Sequence, residues 1–329
     1  MGWGRADMKI LVTGGAGFIG SHLCEALLQK ENNVVCIDDC NDFYDPKIKE
    51  NNMKDIIKNK RFTLYKTDIR NTKEIRAISE EEMPEKIIHL AARAGVRPSL
   101  EHPELYEEAN VKGTLNLLEA AKRVKAKQFI FGSSSSVYGV RNKGPFSEED
   151  RTDSQISVYG ATKKAGEVLC HSYAYTNKLP TTCLRFFTVY GPRQRPDLAI
   201  HKFTRLMTES REVPFFGDGT TMRDYTYVGD IVNGILKALD KEFPYEIINL
   251  GNNKPVNLNS LMSLLERATG KRAKLQRLPE QPGDVPITYA DISKARKILG
   301  WKPETPFEKG IKMFVQWFND HRTLLSSSA

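Results

Sequence analysis

Tyr159 and Lys163, four residues apart in the stretch YGATK, are the most chemically pointed pair in this chain of 329 residues. At helical spacing their side chains share one face. A free tyrosine has a pKa of about 10, too high for a base near neutrality. An ammonium beside it favours the phenolate. Upstream runs Ser133, Ser134, Ser135 and Ser136, followed by Val137, Tyr138 and Gly139. A serine hydroxyl brought to the same substrate oxygen completes a trio suited to taking a proton from an alcohol while its carbon gives up hydride. The Y-x-x-x-K spacing alone recurs by chance in many helices, and four serines in a row also suit a plain strand end. Their joint presence carries the argument.

Hydride needs an acceptor, and the start of the chain offers a place for one. The apolar run from Lys9 to Thr13 reads as a buried parallel strand. Gly14, Gly15, Ala16, Gly17, Phe18, Ile19 and Gly20 follow, then a helical period from Ser21 to Leu28. Strand, glycine turn and helix form the context of a dinucleotide fingerprint. The glycines let backbone approach a pyrophosphate, and the helix N-terminus supplies N–H groups and a positive dipole end. The next strand, from Asn33 to Ile37, runs into Asp38 and Asp39. An acid at that place accepts bonds from an adenosine ribose and repels a 2′-phosphate, which favours NAD over NADP. A bound nicotinamide cation would further favour the phenolate of Tyr159.

Composition narrows the class. With 40% hydrophobic and 27% charged residues the chain reads as an ordinary globular protein. No apolar run nears the roughly 20 residues that span a bilayer, and no signal peptide precedes the first strand. Residues 1–7 read as a frayed leader upstream of a start at Met8. Cysteines at 24, 36, 40, 170 and 183 show no metal-ligand pairing and suit thiols in a reducing cytoplasm. The formal charge of +8 is dispersed, without aromatic interleaving, so a solvated face is expected rather than nucleic-acid binding.

The elements that must position this chemistry alternate. Strands are expected at residues 8–13, 33–38, 61–67, 86–91, 127–133 and 181–187, with helices near 17–30, 104–123 and 157–177. That is an α/β fold, a doubly wound parallel (Rossmann) sheet with its ligand at the C-terminal strand ends. The dinucleotide-binding domain is expected over 1–190. Beyond it Pro192, Pro196, Pro214, Gly217, Gly219, Pro279, Pro282, Gly283 and Pro286 mark a smaller substrate-binding lobe over 191–329, with 229–250 rejoining the sheet.

These stretches together resemble the extended short-chain dehydrogenase/reductase superfamily, the nucleotide-sugar epimerases and dehydratases. The likeness runs from Thr13–Gly20 to Ala290–Arg296. Within it, Asp38–Pro46, His89–Arg97 and Arg185–Asp197 resemble UDP-glucuronate 4-epimerases. The resemblance implies that Gly14, Gly17 and Gly20 hold the NAD pyrophosphate and Asp38 the ribose. It places Asp68 and Ile69 at adenine, and Leu90, Ala91 and Ala92 under the cofactor. Ser134 would be the catalytic hydroxyl, Tyr159 the base, and Lys163 the ribose ligand that tunes it. Arg223 would grip the substrate diphosphate, with Arg195 and Asp284 at the UDP moiety. One departure is Arg93, where such epimerases often carry glutamine or an apolar residue. His89, within an apolar strand, reads as a core histidine. A homodimer through the helices near 104–123 and 157–177 is also implied, and an apolar outer face would be its sign.

Two missing acids narrow the reaction. Dehydratases of this superfamily carry acids directly after the catalytic hydroxyl, and the related decarboxylases a glutamate two residues before the V-Y-G tyrosine. Here Ser135 and Ser136 stand at those places. Elimination needs a general acid, so oxidation and re-reduction alone are expected, as in 4-epimerisation of UDP-glucuronate. Arg97, Thr188, Ser135 and Ser136 are candidate ligands for the sugar carboxylate. A UDP-glucose/UDP-galactose or N-acetylhexosamine 4-epimerase is the alternative enzyme, and an NAD(H)-sensing protein the alternative of another class.

Overall fold

The computed structural model describes residues 7–141, 144–279 and 285–326. Residues 1–6 of the expected leader, together with Pro282, Gly283, Asp284 and the last three residues, lie outside them. Thirteen strands are found among the described residues: β1 (Lys9–Thr13), β2 (Asn33–Ile37), β3 (Phe62–Tyr65), β4 (Lys86–His89), β5 (Gln128–Ser134), β6 (Thr181–Phe186), β7 (Thr188–Tyr190), β8 (Glu212–Phe216), β9 (Met222–Tyr227), β10 (Tyr245–Leu250), β11 (Pro255–Asn257), β12 (Lys274–Leu278) and β13 (Ile287–Thr288).

Seven of these strands make one parallel sheet in the order β10-β6-β5-β4-β1-β2-β3. Alternation along β1 shows why its apolar run is unbroken. Ile10 and Val12 join the core under helices Phe18–Gln29 and Val228–Leu239, while Leu11 joins the core on the other face, under helices Thr72–Glu82 and Gly113–Arg123. The chain runs from β1 outward to β3, then crosses back to β4 on β1's other side. The C-terminal ends of β1 and β4 therefore flank the switch point at which such sheets bind ligands. A third apolar cluster gathers Tyr190, Phe203, Phe215, Tyr225, Leu261 and Phe314 from the later strands and helices.

Expected strands and observed ones agree in place and differ at their ends. β4 stops at His89, and Leu90 and Ala91 leave the ladder to line a cavity. The helix expected over 104–123 is broken: Pro103–Glu107 runs into a π turn at Glu108–Lys112 and then into Gly113–Arg123. The helix expected over 157–177 runs from Val158 to Asn177, with Ser157 Oγ capping it by accepting from the Gly160 N–H at 3.1 Å.

A buried ion pair fastens that helix to the sheet. Glu167 accepts from Arg185 Nε and Nη2, both at 2.8 Å, and from Ser133 Oγ at 2.7 Å, and both charged side chains are almost fully buried. The Arg185 guanidinium also lies 4.7 Å from the centre of the Tyr138 ring. Removing one partner of such a pair strands the other's charge, which costs about 3–5 kcal/mol. Glu167→Gln should therefore lower the melting temperature markedly, while the apolar double variant Glu167→Leu/Arg185→Met should lose less. Thermal melts of the three proteins decide this, and a Glu167→Gln protein as stable as wild type would contradict it.

Candidate active site

The site begins where β1 meets the glycine turn. Gly14 has φ +74°, and a Cβ there would lie 2.7 Å from the Ala91 N and 2.9 Å from its Cα, so only glycine lets the β1 turn touch the end of β4. The following helix, Phe18–Gln29, has Gly17 at its N-cap and no side-chain cap. Its first-turn N–H groups can therefore serve a ligand. At the end of β2, Asp38 accepts from the Ala16 N–H at 3.0 Å and the Cys40 N–H at 2.8 Å. Burial pushes its carboxyl up, and the Lys49 charge opposes that. Asp38 thus braces the glycine turn.

The serine run and the Tyr159 helix meet across a similarly tight contact. A Cβ on Gly160 would lie 2.6 Å from the Ser136 carbonyl oxygen. Ser134, the last residue of β5, accepts from the Ser136 N–H at 3.1 Å and lies 3.2 Å, Oγ to Oγ, from the Ser136 hydroxyl. The Tyr159 ring meets Tyr106 edge-on, with ring centres 6.3 Å apart. Burial raises the Tyr159 phenol's pKa, while a hydrogen bond with Ser134 and the charge of Arg195 lower it. Lys163 points its ammonium at the Gly132 carbonyl, 2.7 Å away, and burial brings it down to about 8. In this arrangement the positive charge acting on the phenol comes from Arg195.

His89 belongs to the frame. Its Nδ1 lies 2.7 Å from Thr13 Oγ1 and its Nε2 3.0 Å from Thr114 Oγ1. The Thr114 hydroxyl donates to the Asn110 carbonyl, so it must accept from His89 Nε2–H, leaving Nδ1 as acceptor from Thr13. Thr13 in turn accepts the Ala91 N–H at 3.1 Å. Burial takes the imidazole down to about 3, so it stays neutral and pins the end of β4.

A cavity of about 470 Å³ gathers most of the expected site. Gly14, Gly17, Phe18, Ile19, Gly20, Asp38, Asp39, Asp68, Ile69, Leu90, Ala91 and Ala92 line it. So do Ser134, Ser135, Ser136, Tyr159, Lys163, Thr188 and Arg195. Arg97 does not. It lies exposed on the short helix Val96–Glu101, its guanidinium 5.4 Å from the centre of the Phe216 ring. Proximity in sequence to β4 did not fix the direction of its side chain. Arg223, on β9, donates to the Val285 carbonyl at 2.7 Å and to its neighbour's at 2.9 Å, and does not line the cavity. Asp284 falls outside the described residues.

Several lining residues went unread in the sequence, among them Asn41, Phe43, Tyr44, Lys49, Arg70 and Phe186. Phe43 has the Arg195 guanidinium 5.3 Å and the Arg93 guanidinium 5.7 Å from its ring centre. Lys49, almost fully buried, donates to Asn41 at 3.2 Å beside Asp38. An irregular loop from Asp39 to Asp45 brings Asn41, Phe43 and Tyr44, and no periodicity marks such a loop. Among the described residues no cluster of side chains could hold a metal, and no helix is long and apolar enough to cross a membrane.

Known proteins share this architecture. The family described as GDP-mannose 4,6 dehydratase matches residues 11–314. A UDP-glucuronate 4-epimerase of Thermodesulfobacterium geofontis is 43% identical over 318 residues, covering 96% of this chain and 98% of the relative. The crystal structure of UDP-glucuronic acid 4-epimerase from Bacillus cereus, in complex with UDP-glucuronic acid and NAD, superposes with a TM-score of 0.90 at 40% identity, covering 95% of this chain and 99% of that one. UDP-glucose 4-epimerase from Thermotoga maritima, solved with UDP-glucose, follows at 0.89 and 35% identity, covering 96% and 100%. A match that begins inside β1 and ends in the helix Phe307–Asp320 takes in both the sheet and the later lobe, and by it this chain belongs to the GDP-mannose 4,6 dehydratase family of extended short-chain dehydrogenases/reductases.

Proposed function

We propose that this chain is an NAD-dependent 4-epimerase of UDP-glucuronate. One observation carries the reading: Ser134, Tyr159, Thr188 and Arg195 border a single cavity in which the residues after the catalytic hydroxyl, Ser135 and Ser136, are not acids. The glycine turn and Asp38, which line the same cavity, fit a dinucleotide's diphosphate and ribose. NAD bound there would take hydride from the sugar and return it. We assign the nucleotide sugar to the lobe formed by residues 191–329 outside 229–250.

Tyr159 removes the 4-hydroxyl proton, with Ser134 hydrogen-bonded to the same oxygen. The Arg195 charge lowers the proton affinity of the phenol against the effect of burial. Lys163, held at the Gly132 carbonyl, stands ready for the ribose. The 4-keto sugar turns about its anchored diphosphate and takes hydride on its other face, a step made intramolecular by that anchor. Relatives have been solved with UDP-glucuronic acid and with UDP-glucose. Arg195, with hydroxyls rather than acids at Ser135 and Ser136, favours the uronate. A sensing protein would have no use for the assembled Ser134, Tyr159 and Lys163.

Tyr159→Phe keeps the ring and removes the ionisable hydroxyl, so turnover should fall by about two to four orders of magnitude with NAD content unchanged. Nuclear magnetic resonance of the products from UDP-glucuronate and UDP-glucose, run on both proteins, tests base and substrate together. Near-normal turnover in the variant, or wild-type turnover of UDP-glucose alone, would contradict the proposal.

A 4-keto uronate is a β-keto acid and loses carbon dioxide when its carboxylate bond stands perpendicular to the ketone plane. The enzyme must hold that group out of line. We assign this to Arg195 and Thr188. Asp197 fixes the Arg195 guanidinium through Nε and Nη2, at 2.9 and 2.7 Å, and leaves Nη1 for a ligand. Arg195→Gln should weaken UDP-glucuronate more than UDP and release a decarboxylated pentose, whereas Arg97→Ala should do neither. Clean epimerisation by Arg195→Gln at wild-type affinity would place the carboxylate elsewhere.

We also propose a homodimer, formed through helices Gly113–Arg123 and Val158–Asn177. Leu115, Val168 and Tyr175 are apolar yet 39%, 57% and 73% exposed, and Val168 and Tyr175 lie two turns apart on one face. Light scattering should report a dimer for wild type and a monomer for Val168→Glu; a monomeric wild type would end the idea. The free cysteines fit a cytoplasmic enzyme, and recovery in a membrane pellet on fractionation would argue against that.

A further inference from the structure

Arg93 enters the cavity from the loop after β4, and a single side chain holds its backbone from both sides. Asn110 Oδ1 accepts the Arg93 N–H at 2.8 Å, and Asn110 Nδ2 donates to the Arg93 carbonyl at 3.0 Å. The same amide nitrogen donates to Thr162 Oγ1 at 2.9 Å, on the helix that bears Tyr159. Asn110 lies buried in the π turn, a local widening of the helix of the kind that recurs at functional sites. The base of Arg93 is thus set rigidly against the catalytic helix.

The charge at the end of that side chain lacks the counter-ion its neighbours have. Arg195 is paired with Asp197, and Arg70 with Asp68 and Glu108. Among the described residues, no carboxylate lies within ion-pair distance of the Arg93 guanidinium, whose recorded contact is the Phe43 ring. A ring's quadrupole offsets only part of the cost of a half-buried cation, so the cavity is built for an anion here. Its position narrows which anion. Leu90 and Ala91, just before Arg93, touch Gly14 of the glycine turn. The Arg93 charge acts on Asp68 on one side and, on the other, on Tyr106, which packs against Tyr159. Arg93 therefore lies between the adenosine end and the reacting end of a bound dinucleotide.

We propose that Arg93 binds the diphosphate of that dinucleotide, adding a full charge and a forked donor to the partial charges of the glycine turn and helix N-terminus. This rests on the dinucleotide reading above. The nucleotide sugar carries a diphosphate too, so the probes must separate the two sources. Full-length protein freed of bound nucleotide is titrated with ADP-ribose, which carries the cofactor's diphosphate, and with UDP, which carries the substrate's. Arg93→Gln should weaken ADP-ribose roughly ten- to a hundredfold and leave UDP unchanged, the usual scale for a lost charge-assisted bond. Equal ADP-ribose affinity in variant and wild type would overturn the proposal, and so would a loss confined to UDP. Wild-type protein that binds no ADP-ribose would overturn the dinucleotide reading itself. Arg93→Lys keeps the charge without the fork and should fall between the two; an unchanged affinity for both variants counts against Arg93.

Discussion

Glu167 takes both prongs of Arg185 and the hydroxyl of Ser133, and through these bonds the helix bearing Tyr159 and Lys163 is fixed to β5 and β6 beneath it. Ser134, the proposed catalytic hydroxyl, follows Ser133 by one residue, and Lys163 precedes Glu167 by one helical turn. A shift of the helix along the sheet would have to break a buried ion pair, so the Ser134–Tyr159 distance is set by the most costly interaction in that region. Gly160 against the Ser136 carbonyl closes the other end of the same joint. The reach of the base toward its substrate therefore depends on groups that never meet the substrate.

Charge is distributed with the same economy. Burial alone would leave Tyr159 protonated and draw Lys163 down toward neutrality, two changes that work against a phenolate. Arg195 supplies the opposing charge from the other side of the cavity, held in place by Asp197. The same arginine is thus available both to the base and to an acidic substrate. His89 could have added a titrating group beside them, but both of its nitrogens are spent on threonines, and its neutrality keeps the end of β4 fixed without disturbing the phenol.

The parts of this site legible in the sequence are those built on a regular element. The glycine turn could be placed because a strand and a helix fix it, and Tyr159 and Lys163 because helical spacing puts them on one face. β4 was read two residues too long because Leu90 and Ala91 are apolar for a different reason: they face the cavity rather than the ladder. The π turn at Glu108–Lys112 left no mark, since apolar spacing is nearly the same on either side of it. Arg97 shows the other limit. Its number in the loop after β4 was informative, but the direction of its side chain depended on a short exposed helix and a ring from β8, more than a hundred residues away. Phe43 lies in an irregular loop whose shape is decided by what it packs on, and Lys49 lies on the short helix Pro46–Met53 that follows it.

The family name and the chemistry assigned here differ by the presence of an acid, and the geometry shows why so small a difference suffices. Water leaves a 4-keto sugar only if a proton reaches the departing hydroxyl. In this cavity the neighbours of Ser134 are hydroxyls, and the Ser134 oxygen already accepts from the Ser136 N–H. Hydroxyls can orient an oxyanion and share a carboxylate with Arg195, but their protons are far too weakly acidic to drive an elimination at neutral pH. A glutamate at Ser136 would also add a second anion at the place proposed for the uronate. On the proposed placement, the same two serines withhold one reaction and make room for the substrate of the other.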